Sequence, residues 1–321
     1  MSIFDTGNPI KKHTQVVPVF LAINSAYASY AAAAIHSLTQ HCDKKRYYKV
    51  IILHDGLNLV NRWRLRSLVT KNVALQFKKI NHNLYLKAVV RYCSRRKGAG
   101  DFFSAAVYYY RFFIPRLFPM YSKCVYIDSD TILRGDVGEL FDVDLGDNAM
   151  AARRDPKVTV IKEFRDYVDK AVGVPHDEYT NSGVLVMNMK MLRKMHYLSR
   201  LVELIDKYDA DLVAPDQDYM NVILKGKIMY LDPVWNMEPS DKMPEGTKLV
   251  HFNLFNKPWH YKNVPQEKLF WNAARGTGFY GDLKRQQEVF DETKQKADHE
   301  KVAALIKKAG RLAKEGPIFK D

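Results

Sequence analysis

The chain has 321 residues, 47% hydrophobic and 27% charged, with a formal net charge of +14. That balance is ordinary for a soluble globular protein with one large domain or two modest ones, and it excludes a disordered or fibrous chain. Three widely spaced cysteines (Cys42, Cys93, Cys124) contain no Cys-x-x-Cys pair, which excludes a disulfide framework and a thiolate zinc site and suits a reducing compartment. The basic excess favours anionic partners, yet no zinc-finger or RNP-type pattern accompanies it, so nucleic acid is not the expected ligand.

The first predicted element is a strand over Val16–Ile23. The stretch Val16–Ile35 is uncharged and long enough to span a bilayer. Pro18, Asn24, Ser25, Ser29 and an alanine run argue against a transmembrane helix, and Asp5, Asn8 and Pro9 argue against a signal peptide, which predicts a cytoplasmic protein. A turn over 24–27 leads into a helix over Tyr30–Gln40. A strand over Lys49–Leu53, a loop at His54-Asp55-Gly56, a helix near Asn61–Thr70 and a strand over Ala74–Ile80 continue the alternation. This order predicts an α/β sheet with parallel strands and helical crossovers, and ligands in such sheets bind beyond the carboxyl ends of the strands. Asn24, Asp55 and Asp128 are expected to gather at that edge.

An aromatic-rich helix is predicted from Phe102 to Phe118, then a short buried strand, Val125-Tyr126-Ile127, that delivers Asp128 and Asp130. Period-2 alternation would point both carboxylates the same way, and two hard oxygen ligands at a strand tip can hold a divalent cation together with a substrate's phosphates. Asp-x-Asp alone is a weak pattern. Here it also occurs at 142/144, 209/211 and 216/218, but only the first pair follows a clear β-type run and leads into a turn with Gly135. Further on come a strand over Val184–Met187, a helix over Leu192–Tyr208, a helix from Gln217 with Asp216 as its N-cap, and a strand over Lys248–Phe252 carrying His251. Asp282–Lys314 reads as polar helix with Val302, Leu305, Ile306, Ala309 and Leu312 as an apolar stripe among lysines. Such a stripe fits a helix packed on the core, or one lying on a membrane surface.

In this order the motifs resemble glycosyltransferase family 8, retaining enzymes that include glycogenin and bacterial lipooligosaccharide galactosyltransferases. The resemblance runs from about Val17 to His260. It rests on Val19-Phe20-Leu21-Ala22 with Tyr27, on Tyr110-Arg111, on Tyr126-Ile127-Asp128-Ser129-Asp130, on Asn181-Ser182-Gly183-Val184-Leu185, on Asp216-Gln217-Asp218, and on His251 with Lys257-Pro258-Trp259. It implies a GT-A fold, a Rossmann-like mixed central sheet flanked by helices, as a catalytic domain over 14–260 followed by a basic helical extension over 261–321. It implies a UDP-sugar donor, UDP-galactose or UDP-glucose, held with Mn²⁺ (or Mg²⁺) by Asp128, Asp130 and His251. Two carboxylates and an imidazole suit Mn²⁺ on chemical grounds as well.

The same resemblance implies that Ala22, Asn24 and Tyr27 hold the uridine and that Arg111, Ser129 and Lys257 reach the donor's sugar and phosphates. It puts Asn181, Gly183 and Asp216 on the donor sugar, Gln217 near the anomeric carbon and Asp155 near the acceptor, with Gln217, Asp216, Asp218 and Arg111 as the expected catalytic set. Front-face attack is expected, with Asp218 pointing elsewhere. Trp259 is expected to wall the pocket. The acceptor would be a glycan, glycolipid or glycoprotein; a glycogenin-like self-glucosylating initiator and a non-catalytic basic scaffold are the alternatives. Two positions depart from the family pattern. Leu254 stands where His-x-x-Gly-x-x-Lys-Pro has glycine, and Asn24 where many relatives carry aspartate.

Overall fold

The computed structural model describes residues 15–81, 83–96 and 105–320. Seven strands form the main sheet: β1 (Val16–Ile23), β2 (Tyr47–His54), β3 (Val73–Lys79), β4 (Lys123–Ile127), β6 (Met150–Arg154), β7 (Thr180–Asn188) and β8 (Ile228–Tyr230), in spatial order β3-β2-β1-β4-β7-β6-β8. The β3-β2-β1-β4 half is parallel, β7 runs antiparallel to both β4 and β6, and β6 pairs parallel with β8. The sheet is therefore mixed, as the family resemblance implies, and the parallel order expected from the strand–helix alternation holds only for β3-β2-β1-β4: β7 pairs antiparallel with both neighbours. Its central strands are near-continuous apolar runs because helices cover both faces.

On one face lies α1 (Ala28–His41), whose Ala31–Ala34 run lets its backbone come close to the sheet. Helices α2 (Leu59–Arg66), α11 (Glu267–Arg275) and α12 (Tyr280–Glu288) share that side, and Trp271, Ala274 and Leu283 belong to the same core as β1. On the other face pack α3 (Leu84–Ser94), α4 (Tyr110–Leu117), α8 (Met189–Lys194), α9 (Tyr197–Tyr208) and α10 (Pro215–Ile223). A third apolar cluster joins α6 (Pro156–Val160), α7 (Lys162–Tyr167), a π turn at Val168–Val172 and α13 (Glu292–Glu315). The short helix α5 (Gly138–Asp142) follows a two-stranded antiparallel ribbon of β5 (Thr131–Leu133) and β9 (Leu249–His251).

Several boundaries differ from expectation. The Leu192–Tyr208 helix is two helices, divided where His196 takes a left-handed backbone (φ 54°) that no helix can carry through. Likewise the 282–314 stretch divides between α12 and α13, where Asp291 caps the Lys294 N–H. The helix expected from Phe102 begins within the described residues as a 3₁₀ turn, Ala106–Tyr109, before α4; residues 102–104, and the ends of the expected domains at 14 and 321, lie outside the described residues. The stripe of α13 is spent on the core: Leu305, Ala309 and Leu312 are buried against Phe164, Tyr167 and Ala171.

Candidate active site

Strand β4 stops at Ile127, so Asp128 and Asp130 stand on the tight turn into β5, closed by Thr131 Oγ1 donating to the Asp128 carbonyl at 2.8 Å. The β5–β9 ribbon then does the decisive work. Its register sets Thr131 opposite His251, and Phe252 N–H donates to the Asp130 carbonyl at 2.9 Å. A histidine 121 positions away thus meets the acidic turn, and one ligand atom from each of Asp128, Asp130 and His251 lies within 4.8 Å of the others.

The donor set suits a divalent cation. His251 Nδ1 lies 2.7 Å from Asn236 Oδ1, while Asn236 Nδ2 donates to Asn181 Oδ1 at 2.9 Å. The second contact fixes the Asn236 amide, so its oxygen must accept from Nδ1–H and Nε2 faces Asp130 Oδ1 at 3.0 Å. An imidazole whose far nitrogen is anchored to an amide oxygen is oriented as metal-binding histidines usually are. The cradle is also tight. A Cβ on Gly183 would fall 2.2 Å from His251 Cε1 and 2.9 Å from Asp128 Oδ2, so only glycine fits beneath the ligands.

Cations crowd the acids. Lys257 Nζ lies 2.6 Å from Asp130 Oδ2. Burial alone would raise the Asp130 carboxyl, but the Lys257 ammonium and the His251 imidazole outweigh it and hold the group well below the usual carboxylate range. Arg111 is buried, its guanidinium 4.6 Å from the Tyr126 ring centre, 3.0 Å from Asp128 Oδ1 and 3.5 Å from Asp216 Oδ2, and it donates to the Ser182 carbonyl. Its buried charge is therefore balanced by protein carboxylates.

From the acids a cavity of about 320 Å³ runs past Ala22, Tyr27, Tyr108, Ser129, Asn181, Asp216 and Gln217 to Asp155, Val158, Phe164 and Leu305. Gln217 and Asn181 form a locked pair there. Gln217 Nε2 and Asn181 Nδ2 both donate to Asp155 Oδ2, at 2.9 and 3.2 Å, and Gln217 Oε1 accepts from the Ser182 N–H at 3.0 Å.

Other expected residues take different places. Asp216 does not cap α10: Ala214 holds the cap position, and Asp216 sits in the first turn facing Ser182 Oγ at 3.3 Å. Burial pushes its pKa up to about 6 against the pull of Arg111. Asp218 is fully buried beneath the cavity lining, accepting from Tyr167 and Tyr179 hydroxyls at 2.8 and 2.5 Å and from the Ala214 N–H at 3.0 Å. Burial raises it to about 7 despite those donors. Asn24 does not line the cavity; its Oδ1 accepts from Ala26 and Tyr27 N–H groups and so sets the turn that presents Tyr27. Trp259 is not a wall either. It stacks on Tyr30 at 4.2 Å inside the core, and His260 lines the cavity instead. Asn236 was missed in the sequence, where a lone asparagine with no motif around it gives no signal. Leu254 occupies the family's glycine position with a left-handed backbone (φ 63°), so the loop keeps a glycine-like path while a leucine lines the cavity.

A mixed α/β sheet with an Asp-x-Asp turn and a converging histidine at its carboxyl edge defines a glycosyltransferase of the GT-A fold. Comparison with known proteins makes this specific: the profile of Glycosyl transferase family 8 matches residues 18–263, and the chain belongs to that family. General stress protein A of Bacillus subtilis (strain 168) is 26% identical over 268 residues, 77% of this chain and 88% of its own length. Lipopolysaccharide 1,2-glucosyltransferase of Escherichia coli (strain K12) is 27% identical over 216 residues, covering 61% of this chain and 62% of that one. The crystal structure of the galactosyltransferase LgtC, in complex with donor and acceptor sugar analogs, superposes with a TM-score of 0.68 at 21% identity over 82% of this chain and 96% of its own. Among the described residues no helix is long and apolar enough to cross a membrane.

Proposed function

We propose that the protein is a retaining, Mn²⁺-dependent hexosyltransferase that takes galactose or glucose from its UDP-sugar and, in the cytoplasm, adds it to a glycan, glycolipid or glycoprotein acceptor. The observation that carries this reading is the meeting of Asp128, Asp130 and His251 in the same cleft as Lys257, Asn181 and Gln217. Asp128, Asp130 and His251 would hold the cation, which when bound supplies Lewis-acid stabilisation of the departing UDP. Lys257 would leave Asp130 for the diphosphate, and Tyr27 would stack on uracil beside Ala22 and the Asn24-capped turn. Ser129 and Arg111 support the phosphate side, Arg111 by holding Asp128 and Asp216 in place. Asn181 and Asp216 would grip sugar hydroxyls, with Gly183 leaving room for the ligand cradle.

Gln217, fixed by Asp155 and the Ser182 N–H, would lie under the anomeric carbon, and Asp155 would face the acceptor hydroxyl. A covalent double displacement needs an exposed nucleophile at that carbon. Asp218, fully buried and held by three donors, supports a positioning role, and Gln217 is a poor nucleophile. Front-face attack follows, in which a departing phosphate oxygen accepts the acceptor's proton and the protein positions the partners. Leu305 and Lys301 of α13 line the cleft, which supports a role for the helical extension in completing it.

UDP release from UDP-galactose, UDP-glucose and related donors, with and without Mn²⁺, tests the proposal. A preferred hexose donor hydrolysed only with metal is the expected result; absence of UDP release from every donor would overturn it.

A further inference from the structure

Helix α2 buries Leu65 in the core and turns its other apolar side chains outward. Leu59 and Trp63 are 79% and 72% exposed and Val60 60%, with exposed Val69 on the turn that follows. Leu59, Trp63 and Arg66 fall on one stripe at helical spacing. Single exposed apolar residues need no explanation, but a tryptophan, a leucine and a valine within five positions of one helix do.

Charge around the patch has one sign. Residues 56–96 contain ten Lys and Arg and no Asp or Glu. Arg64 is paired with Asp282, and Arg91, Arg95 and Arg96 with acids of α9 and its C-cap Asp209. Arg62, Arg66, Lys71 and Lys79 have no carboxylate partner among the described residues. Arg62 and Arg66 lie over Phe77 of the edge strand β3, at 5.9 and 5.3 Å; Arg62 is half-buried and engaged with His54 Nε2 at 3.1 Å, while Arg66 is exposed beside the apolar stripe. The patch also touches the cleft's own frame, because Asn61 Nδ2 donates to the Ser25 carbonyl at 3.2 Å in the turn that carries Tyr27.

We propose that α2 with the start and end of β3 is a docking surface for an anionic lipid bilayer, with Leu59, Val60 and Trp63 inserted between headgroups and Arg66, Lys71 and Lys79 on the lipid phosphates. An apolar tip ringed by cations is what binding at a charged lipid interface requires, and tryptophan is favoured at that depth. A nucleic acid would use the cations but has no place for Leu59 and Val60. The C-terminal helix, the other basic candidate, has its apolar stripe buried in the core. This surface does not depend on which sugar or acceptor the cleft takes.

Trp63 supplies its own reporter, since Trp235, Trp259 and Trp271 are all buried. The full chain would be mixed with vesicles of phosphatidylcholine alone or with phosphatidylglycerol added, followed by sedimentation and tryptophan emission. Binding to the anionic vesicles alone, weakened by salt and accompanied by a blue shift, is expected. Leu59→Ser with Trp63→Ser should weaken it at least ~10-fold, while Trp63→Phe keeps binding and loses the shift. Equal binding by the double serine variant, or loss only when Lys301 and Lys307 are changed to alanine, would overturn the proposal. So would a halved mass of the serine variant in light scattering, which would assign the patch to a second copy of the chain. Tighter binding to an oligonucleotide than to the anionic vesicles would do the same.

Discussion

The two ends of the cleft are made of different material. At one, Asp128, Asp130, His251, Arg111 and Lys257 pack five ionisable groups into a shell of mutual contacts between 2.6 and 3.9 Å. At the other, Val158, Phe164, Val168, Val213, Leu254 and Leu305 offer an apolar wall, and Leu305 comes from α13, beyond the segment that the family shares. Charge fixes one end because a carboxylate kept ionised away from water needs a cation, a metal or several hydrogen-bond donors, which leaves little freedom of residue type. The apolar end needs only volume and fit, which many sequences supply. The charged end accordingly tolerates little change of residue type, and the apolar end tolerates more.

Breaking the charged end should have the largest effect. Asp130→Asn removes a hard ligand and leaves Lys257 and His251 facing a neutral group, so metal-supported UDP release should fall by ~10²-fold or more. Chelation of the wild-type protein should reproduce that loss, and circular dichroism would show the fold intact. Gly183→Ala comes next: its methyl group collides with His251, and metal affinity measured by titration calorimetry should drop ~10- to 100-fold. Asn236→Ala should act in the same direction by freeing the imidazole. Had these variants kept full affinity, the cation would be held elsewhere.

At the apolar end, Leu305→Ala should cost about 2–5 kcal/mol of stability by leaving a cavity under α13, read by chemical denaturation. Donor hydrolysis at low temperature should persist, which separates the two ends by function.

Asp218 sharpens the contrast through pH. Its carboxyl is raised from 3.8 to about 7 in the folded protein. The folded state thus binds a proton that the unfolded chain releases, and the stability from this group is fullest at low pH and declines as pH rises from about 4 to about 7. Asp218→Asn should flatten that part of the Tm–pH curve while some transfer activity remains. The smallest effect is expected for Leu254→Gly, where relief of a left-handed leucine and loss of its packing nearly offset, leaving stability within about 1 kcal/mol of wild type.

Much of the site was legible because it is written locally. Val125-Tyr126-Ile127 followed by Asp-Ser-Asp shows a buried strand delivering ligands, and the alternation of apolar runs with helix-spaced segments gave the α/β order and its parallel half, whereas the antiparallel placing of β7 followed only from the resemblance. Local signals also misled. Asp216 before an apolar helix has the composition of a cap, but Pro215 opens the helix one residue earlier and Arg111 draws the carboxylate inward. Trp259 beside Lys257 suggested a pocket wall, whereas Tyr30 offers its ring a full stacking partner in the core. The division of the 192–208 helix turned on one backbone angle at His196, which no side-chain pattern records.

By itself the sequence determined which acidic pair at a strand end could bind a cation and a substrate's phosphates, and the α/β sheet that would carry it, since period and polarity act over a few neighbouring residues. Only the tertiary structure decided that His251 meets Asp130, that Asn236 orients the imidazole, and that the stripe of α13 is buried while Leu59 and Trp63 of α2 face solvent. Those outcomes depend on strand register and on competition among apolar surfaces for one core, and such competition is settled between segments far apart in the chain.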